Sequence, residues 1–394
     1  MKSTPSKSAA FKFVILLGIV SLCADATYEG ARSINGQFLG SLGATGTVVG
    51  LVAGFGELIA YGLRLLIGFL SDRTRQYWRI TTIGYIINTL VVPLLALAGN
   101  LPVAAGLMMA ERTGKAIRTP PRDVLLSHAV TQVGTGFGFG VHEALDQIGA
   151  VSGPLMVAVV LSLQNDYSAG YAALMIPAVI GLIVLLTLQK VYPNPREFEL
   201  ANRPILKAEK FPKAFWLYLG SVVLIAAGYA DFPLIAYHFQ QVNLSDTNSI
   251  PLLYALAMGV DAIAAILFGR LFDRIGLLSL AIAAFLASVF APLVFLGTPQ
   301  LAIVGIILWG IGMGAQESIM KAGITRIVSA DQRGSAFGVF ATGYGLAWFL
   351  GSVLMGILYD RSLLVLVIFS VSIQLLALPL LLGIHRQMNT SNPQ

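Results

Sequence analysis

Apolar stretches of about 20 residues alternate along the chain with short polar breaks, a length that matches the hydrocarbon core of a bilayer. Twelve such stretches can be drawn, at residues 11–30, 47–70, 79–98, 101–117, 134–163, 170–190, 214–240, 251–271, 277–297, 300–322, 335–359 and 363–384. None shows the half-length, alternating segments of a membrane β-barrel. The first has no A-x-A type cleavage site and is too long for a signal-peptide core, so it is expected to stay in the mature protein. The pattern predicts an all-α integral membrane protein with twelve transmembrane helices.

Composition narrows the picture. The 394 residues are 56% hydrophobic and only 11% charged, with a mean hydropathy of +0.80. A soluble domain carries roughly 25% charged residues, and too few are present to cover a soluble surface of this size. An ordinary cytosolic enzyme and a disordered chain are excluded. The lone Cys23 excludes a disulfide framework and any multi-cysteine metal site. A formal net charge of +6 would suit nucleic acid, but the positions of the cations decide otherwise. With the amino terminus inside, 21 of the 25 Lys and Arg fall at inner ends of the spans, where the positive-inside bias puts them. The expectation is a multi-pass protein of the cytoplasmic (inner) membrane, both termini cytoplasmic, with no nucleic-acid partner.

The chain also reads as two similar halves. A polar stretch at 191–213 with four prolines is expected to be a cytoplasmic linker between six-helix bundles at 1–190 and 214–394. Ala24-Asp25 is echoed by Ala230-Asp231, Gly68-x-x-x-Asp72-Arg73 by Gly269-x-x-x-Asp273-Arg274, and Phe139-Gly140-Val141 by Phe337-Gly338-Val339, at offsets of 206, 201 and 198. Near-constant offsets over three anchors argue for a duplicated unit, and so for two bundles related by a pseudo-two-fold axis.

A charge inside a span costs roughly 2.5–3.5 kcal/mol, so such residues mark candidate machinery. Asp25, Glu29 and Arg32 follow one face of the first span, and Glu57 and Arg64 share a face of the second. Glu111 and Arg112 are adjacent in the fourth and are expected to point apart. His142 and Asp146 lie one turn apart in the fifth, with Glu143 beside them. The second half carries Asp231, His238, Asp261 and the Glu317/Lys321 pair. Six acids against Arg32, Arg64 and Arg112 would leave the first half three negative charges in excess, so some carboxylates are expected to hold protons. Asp25, Glu29, His142, Glu143 and Asp146 then suit a proton relay or a cationic group, with Tyr229 and Asp231 contributing from the second half.

Arg118-Thr-Pro-Pro-Arg122-Asp123 is expected to end the fourth helix at its double proline. Both arginines would then lie at the inner surface, in a rigid turn or against anionic lipid. No Gly-x4-Gly-Lys-[Ser/Thr] loop is present, so ATP-driven pumping is not expected. No nucleophile–base pair is recognisable, so the chain is not expected to be an enzyme.

Twelve spans, two parallel repeats and a basic central loop resemble the major facilitator superfamily of secondary transporters. Its signature after the second span, G-x-x-x-D-R-x-G-R-[RK], stands here as Gly68, Asp72 and Arg73, with Arg75 in place of the second glycine. The repeat has Gly269, Asp273, Arg274 and keeps that glycine as Gly276. The resemblance implies that these residues gate a rocking motion between bundles. Arg112 is similar to the fourth-span arginine of proton-driven exporters, although Gly114 comes two residues early for R-x-x-x-G. Gly140, Gly149, Gly153 and Pro154 match the fifth-span pattern G-x8-G-x3-G-P, which the family associates with antiport; Val157 and Ala158 replace its following glycine pair. The resemblance thus implies proton-coupled export of a small organic solute by a monomer in membrane lipid, powered by the proton gradient with no cofactor and no resident metal. Proton-coupled uptake and divalent-metal transport, using carboxylates with His142 and His238, are alternatives on the same fold. A membrane sensor without transport is a more distant one.

Overall fold

A computed structural model describes residues 7–194, 211–243, 247–328 and 333–390; most of the expected linker lies outside them. Regular structure among the described residues is helical throughout: α1 Lys7–Ser41, α2 Gly46–Thr74, α3 Tyr77–Leu94, α4 Leu101–Val133, α5 Thr135–Gln164, α6 Tyr167–Ala173, α7 Met175–Val191, α8 Lys213–Gly228, α9 Phe232–Gln241, α10 Ile250–Ile275, α11 Leu278–Ser288, α12 Phe290–Phe295, α13 Pro299–Ile327, α14 Arg333–Arg361 and α15 Leu363–Thr390. Among the described residues eleven spans are long and apolar enough to cross a membrane, counting α6–α7, α8–α9 and α11–α12 as single spans. The twelfth, α4, falls short of that standard because it carries Glu111, Arg112, Lys115, Arg118, Arg122 and Asp123.

The helices gather into two compact units. One comprises Met1–Asn35 and Ile59–Pro204, the other Gly36–Leu58 and Ile205–Gln394. In the first unit, glycines let backbones approach where the sequence places charge. A Cβ on Gly149 would strike the Leu22 carbonyl, and one on Gly153 the Ala26 carbonyl, so α5 lies directly on α1 around Asp25. Gly84 likewise brings α3 onto the α4 backbone at Arg118, and Gly114 brings α4 onto Asn88. At the far end Trp78 packs edge-on to Phe13 at 6.1 Å and donates its indole N–H to the Tyr192 carbonyl at 3.0 Å, which ties α1, α3 and the end of α7 together.

The double proline does not end the fourth helix. Pro120 and Pro121 lie inside α4, which begins on an Asn100 side-chain cap and stops at Gly134. Each proline removes one ladder N–H, but α4 is held on both sides, by the close α3 contact at Gly84 and by an α1 ion pair at Arg118. Lys115, Arg118 and Arg122 are therefore within a helix, not in an inner loop.

In the second unit the seventh span is broken. α8 stops at Gly228 and α9 starts at Phe232, with Tyr229, Ala230 and Asp231 extended or irregular between them. In lipid such backbone needs partners. Ser370 Oγ (2.6 Å) and Gln374 Nε2 (3.0 Å) donate to the Gly228 carbonyl, and Trp309 Nε1 donates to the Ala230 carbonyl at 2.9 Å. The first turn of α2 is capped from α14, where Asp360 accepts from Gly46 N–H (2.8 Å), Thr47 N–H (2.7 Å) and Thr47 Oγ1 (2.6 Å).

The turn after α2 and its repeat after α10 each contain a residue with positive φ. Arg75 has φ +56° and Gly276 has φ +60°. Glycine suits that left-handed region, whereas an L side chain there costs about 1–2 kcal/mol. The first repeat carries that cost at Arg75.

Gly149→Val and Gly153→Val are expected to lower bundle stability by about 1–3 kcal/mol each through overpacking. Gly140→Val, whose Cβ would meet nothing within 4 Å, should leave it unchanged. Size-exclusion profiles of detergent-solubilised protein after a heating series measure the difference.

Candidate functional site

α1 and α4 carry matching polar stripes within the first unit. Ser21, Asp25, Tyr28 and Arg32 follow one face of α1, and Glu111, Lys115, Arg118 and Arg122 follow one face of α4. Their contacts step antiparallel. Arg122 Nη1 donates to Ser21 Oγ at 3.1 Å, Arg118 Nη2 pairs with Asp25 Oδ1 at 3.0 Å, and Lys115 Nζ lies 3.6 Å from the centre of the Tyr28 ring. One turn on, Arg112 and Arg32 both donate to the Tyr28 hydroxyl, at 2.5 and 2.9 Å.

Arg118 is the most enclosed of these cations, its side chain only 2% exposed. Its guanidinium covers the Tyr85 ring at 4.7 Å, while Nε and Nη1 find no hydrogen-bond partner among the described residues. A buried charge of this kind depends on its counter-ion, and here that is Asp25.

α5 completes the cluster. His142 Nε2 is 3.1 Å from Ser21 Oγ, which also lies 3.2 Å from the Tyr85 hydroxyl. His142 Nδ1 and Arg122 Nη1 approach the same Asp146 oxygen, at 3.5 and 3.8 Å. Arg122 also pairs with its exposed neighbour Asp123 at 2.8 Å. Two acid–arginine pairs, Asp25–Arg118 and Asp146–Arg122, are thus joined through Tyr85, Ser21 and His142.

The structure brings together Asp25, His142 and Asp146 of the residues expected from the sequence. Glu143 sits on the exposed side of α5, and Glu29 is half-buried beside Tyr28. Glu111 and Arg112 do not point apart: their long side chains fold back to an ion pair at 3.4 Å, and Glu111 also accepts from Asn88 Nδ2 at 2.6 Å. Of the motif glycines, Gly149 and Gly153 are packing contacts while Gly140 faces open space. Pro154 follows them inside α5, which runs on to Gln164.

In the second unit Tyr229 is fully buried. Its hydroxyl donates to the Trp309 carbonyl, and its ring packs among Phe290, Trp309 and Trp348 at 5.2, 5.7 and 5.8 Å. Asp231 accepts from Trp348 Nε1 at 3.3 Å. Both residues stand at the break in the seventh span. Asp72 accepts from the Tyr77 hydroxyl at 3.1 Å and so braces the α2–α3 turn; Arg73 is exposed. The Asp273 carbonyl accepts from Arg326 at 3.4 Å, and a Cβ on Gly269 would meet nothing within 4 Å. The Lys321 side chain lies outside the described residues.

The expected surplus of three negative charges is corrected by α4. With Lys115, Arg118, Arg122 and also Asp123 counted inside the helix, the tally becomes seven acids to six cations, so the surplus falls from three to one, and the inner-end cations fall from 21 to 18. Among the described residues no group of three or more His, Cys, Asp or Glu could hold a metal ion.

The model of the Major Facilitator Superfamily matches residues 17–352 and 232–390. The chain belongs to this superfamily. An uncharacterised protein of Mycobacterium tuberculosis is 41% identical over 383 residues, covering 96% of this chain and 94% of its own. An uncharacterised MFS-type transporter of Methanocaldococcus jannaschii is 31% identical over 360 residues, 89% of each chain. Among solved structures, a nucleoside transporter, NupG, superimposes with a TM-score of 0.75 at 14% identity over 93% of this chain and 99% of its own. A bacterial homologue of the human lysosomal transporter Spinster, inward-facing and unoccupied, does so with 0.73 at 14% identity over 99% and 100%. These structures share the major facilitator fold, and twelve helices in two bundles are its architecture.

Lys115, Ser21, Tyr85 and Tyr28 are cluster residues that the sequence pattern did not mark in this facilitator, and Arg118 and Arg122, expected at the inner surface, lie inside α4 instead. The signal was present: Glu111, Lys115, Arg118 and Arg122 keep helical spacing straight through Pro120 and Pro121. Assigning the prolines to a turn hid it.

Asp25→Asn is expected to destabilise the first unit by about 3–5 kcal/mol, because it leaves the buried Arg118 charge unpaired, and Arg118→Gln by less, because the Asp25 carboxylate it leaves is partly exposed. The double variant should recover much of the loss. Unfolding midpoints of the four proteins in detergent provide the double-mutant cycle.

Proposed function

We propose that this facilitator is a proton-coupled secondary transporter that exports a small organic solute by alternating access. The observation that carries the reading is the interleaving of Asp25 and Asp146 with Arg118 and Arg122 around His142. Protonating Asp25 removes the counter-ion of an enclosed arginine, which then has to find another acceptor. Burial makes that loss expensive, so proton uptake is linked to movement of α1 against α4. Asp146, connected to the Arg118 side through Tyr85, Ser21 and His142, is the natural second station for the proton.

Family and fold support transport in general, and the finer assignment follows from the site. The glycine pattern resembling the antiporter signature supports export, since Gly149 and Gly153 hold α5 on α1 at the level of Asp25. In this reading Asp25 and Asp146 carry the proton, His142 and Arg112 assist its transfer, and Asp231 takes part from the second unit. The Lys- and Arg-rich helix ends face the cytoplasm, with Gly68, Asp72, Arg73, Gly269, Asp273 and Arg274 gating that side. The proton gradient is the energy source, no cofactor takes part, and one chain in the cytoplasmic membrane is the transport unit. The solute is chosen by side chains from several helices.

Proteoliposomes with a pH-sensitive dye inside test the reading on a solute found by thermal-shift screening at two pH values. Solute movement should carry protons in the opposite direction, and Asp25→Asn or Asp146→Asn should lower the coupled flux at least tenfold. Solute transport without any pH change, or undiminished coupling in both variants, would overturn proton coupling. Protons moving in the same direction as the solute would instead make it a symporter.

A further inference from the structure

Away from the Asp25 cluster, the first unit contains a cavity of about 790 Å³ bounded by the α2–α3 turn, α4 and the end of α7. Arg75, Arg79 and Lys190 line it together with Tyr77, Trp78 and His128, and its described lining includes no Asp or Glu. The second unit has a smaller cavity of about 350 Å³ lined by Arg274, Arg326 and His385, again without an acid among its described residues. The two occupy corresponding places. The offset of 201 that relates Asp72-Arg73 to Asp273-Arg274 carries Arg75 onto Gly276 and Leu125 onto Arg326, and all four of these residues line one cavity or the other.

Arg75 separates the two. Arg75 and Gly276 both have positive φ, a region that suits glycine and that a side chain strains, so the cation at Arg75 is kept against a conformational cost. Strain kept at a cavity wall is an indication of function, and what Arg75 adds there is a third cation. Beside the cavity, α7 presents an exposed apolar strip through Ile183, Leu186 and Val191. The cavity walls carry Tyr77 and Trp78, residue types that favour the membrane–water boundary. A positive chamber next to an apolar strip suits a phosphate joined to acyl chains.

We propose that this cavity binds the phosphate-bearing head group of an anionic membrane lipid, with Arg75, Arg79 and Lys190 as its counter-charges. The acyl chains then lie along the α7 strip. Because Trp78 also joins α3 to the end of α7 through the Tyr192 carbonyl, the bound head group braces that end of the first unit. The proposal rests on the reading that the Lys- and Arg-rich helix ends lie at the membrane surface; it does not use the solute or the proton.

The test uses the full chain in neutral detergent, titrated with phosphatidylglycerol, phosphatidylcholine or soluble glycerol 3-phosphate. Unfolding midpoints and lipid retention in native mass spectrometry are the readouts. Phosphatidylglycerol should raise the midpoint and remain bound, while the other two should do neither at the same concentration. Arg75→Gly keeps the turn and should weaken phosphatidylglycerol binding about fivefold; Arg79→Gln and Lys190→Gln should each do the same. Lys213→Gln, outside the cavity, should bind as the parent does. Equal binding of phosphatidylcholine, or unchanged affinity in all three cavity variants, would overturn the proposal. A full effect from glycerol 3-phosphate alone would also overturn it, in favour of a soluble phosphate compound. An Arg75→Gly protein whose lipid-free midpoint falls would overturn the strain argument. Transport is not read here, so proton coupling stands or falls separately.

Discussion

The guanidinium of Arg118, enclosed between α1, α3 and α4, requires a negative partner, and Asp25 provides it at 3.0 Å. Much of the first unit follows from meeting that requirement. Arg118 can be reached only if α1 lies against α4, and the Leu22 and Ala26 carbonyls at Gly149 and Gly153 show α5 pressed on α1 at the same level. The ion pair and the small-residue contacts are one arrangement: glycines set the helix spacing at which these side chains can meet. An ion pair in such surroundings is weak evidence of net stability, because desolvation offsets much of its attraction. Its more telling property is sensitivity to protonation.

That sensitivity connects packing to transport. Seven acids to six cations leave a surplus of only one negative charge, so in the proposed proton-coupled cycle proton binding is a matter of exchange between partners. In that cycle a proton arriving at Asp25 changes what Arg118 must contact, and Tyr85, Ser21 and His142 link that change to Asp146 and Arg122. In the proposed cycle the helices that would carry the proton are therefore the helices whose positions depend on it.

The two repeats have kept a common plan and diverged in chemistry. Asp25 and Asp231 follow the same Ala-Asp dipeptide, yet Asp25 sits inside a continuous helix beside an arginine while Asp231 starts a helix after a break and accepts from Trp348. Trp309, Ser370 and Gln374 occupy the carbonyls exposed by that break. Arg75 and Gly276 diverge in the same way, both at positive φ but differing by a charge.

The sequence by itself determined the helical class, the number of spans, the duplication and the family resemblance, because each rests on a local property: apolar length, a constant offset or a short motif. It also placed Asp25 in one helix and His142 next to Asp146 in another, since helical spacing is arithmetic. Only the tertiary structure decided the partners. Whether Pro120 and Pro121 end α4 depends on whether α1 and α3 hold the helix beyond them, and whether Arg118 is a surface cation or a buried one depends on where Asp25 lies. Tyr229 looked available for a solute until Trp309 took its hydroxyl. Charge and hydrogen-bonding capacity belong to residues, but what uses them up comes from distant parts of the chain, and no local pattern records it.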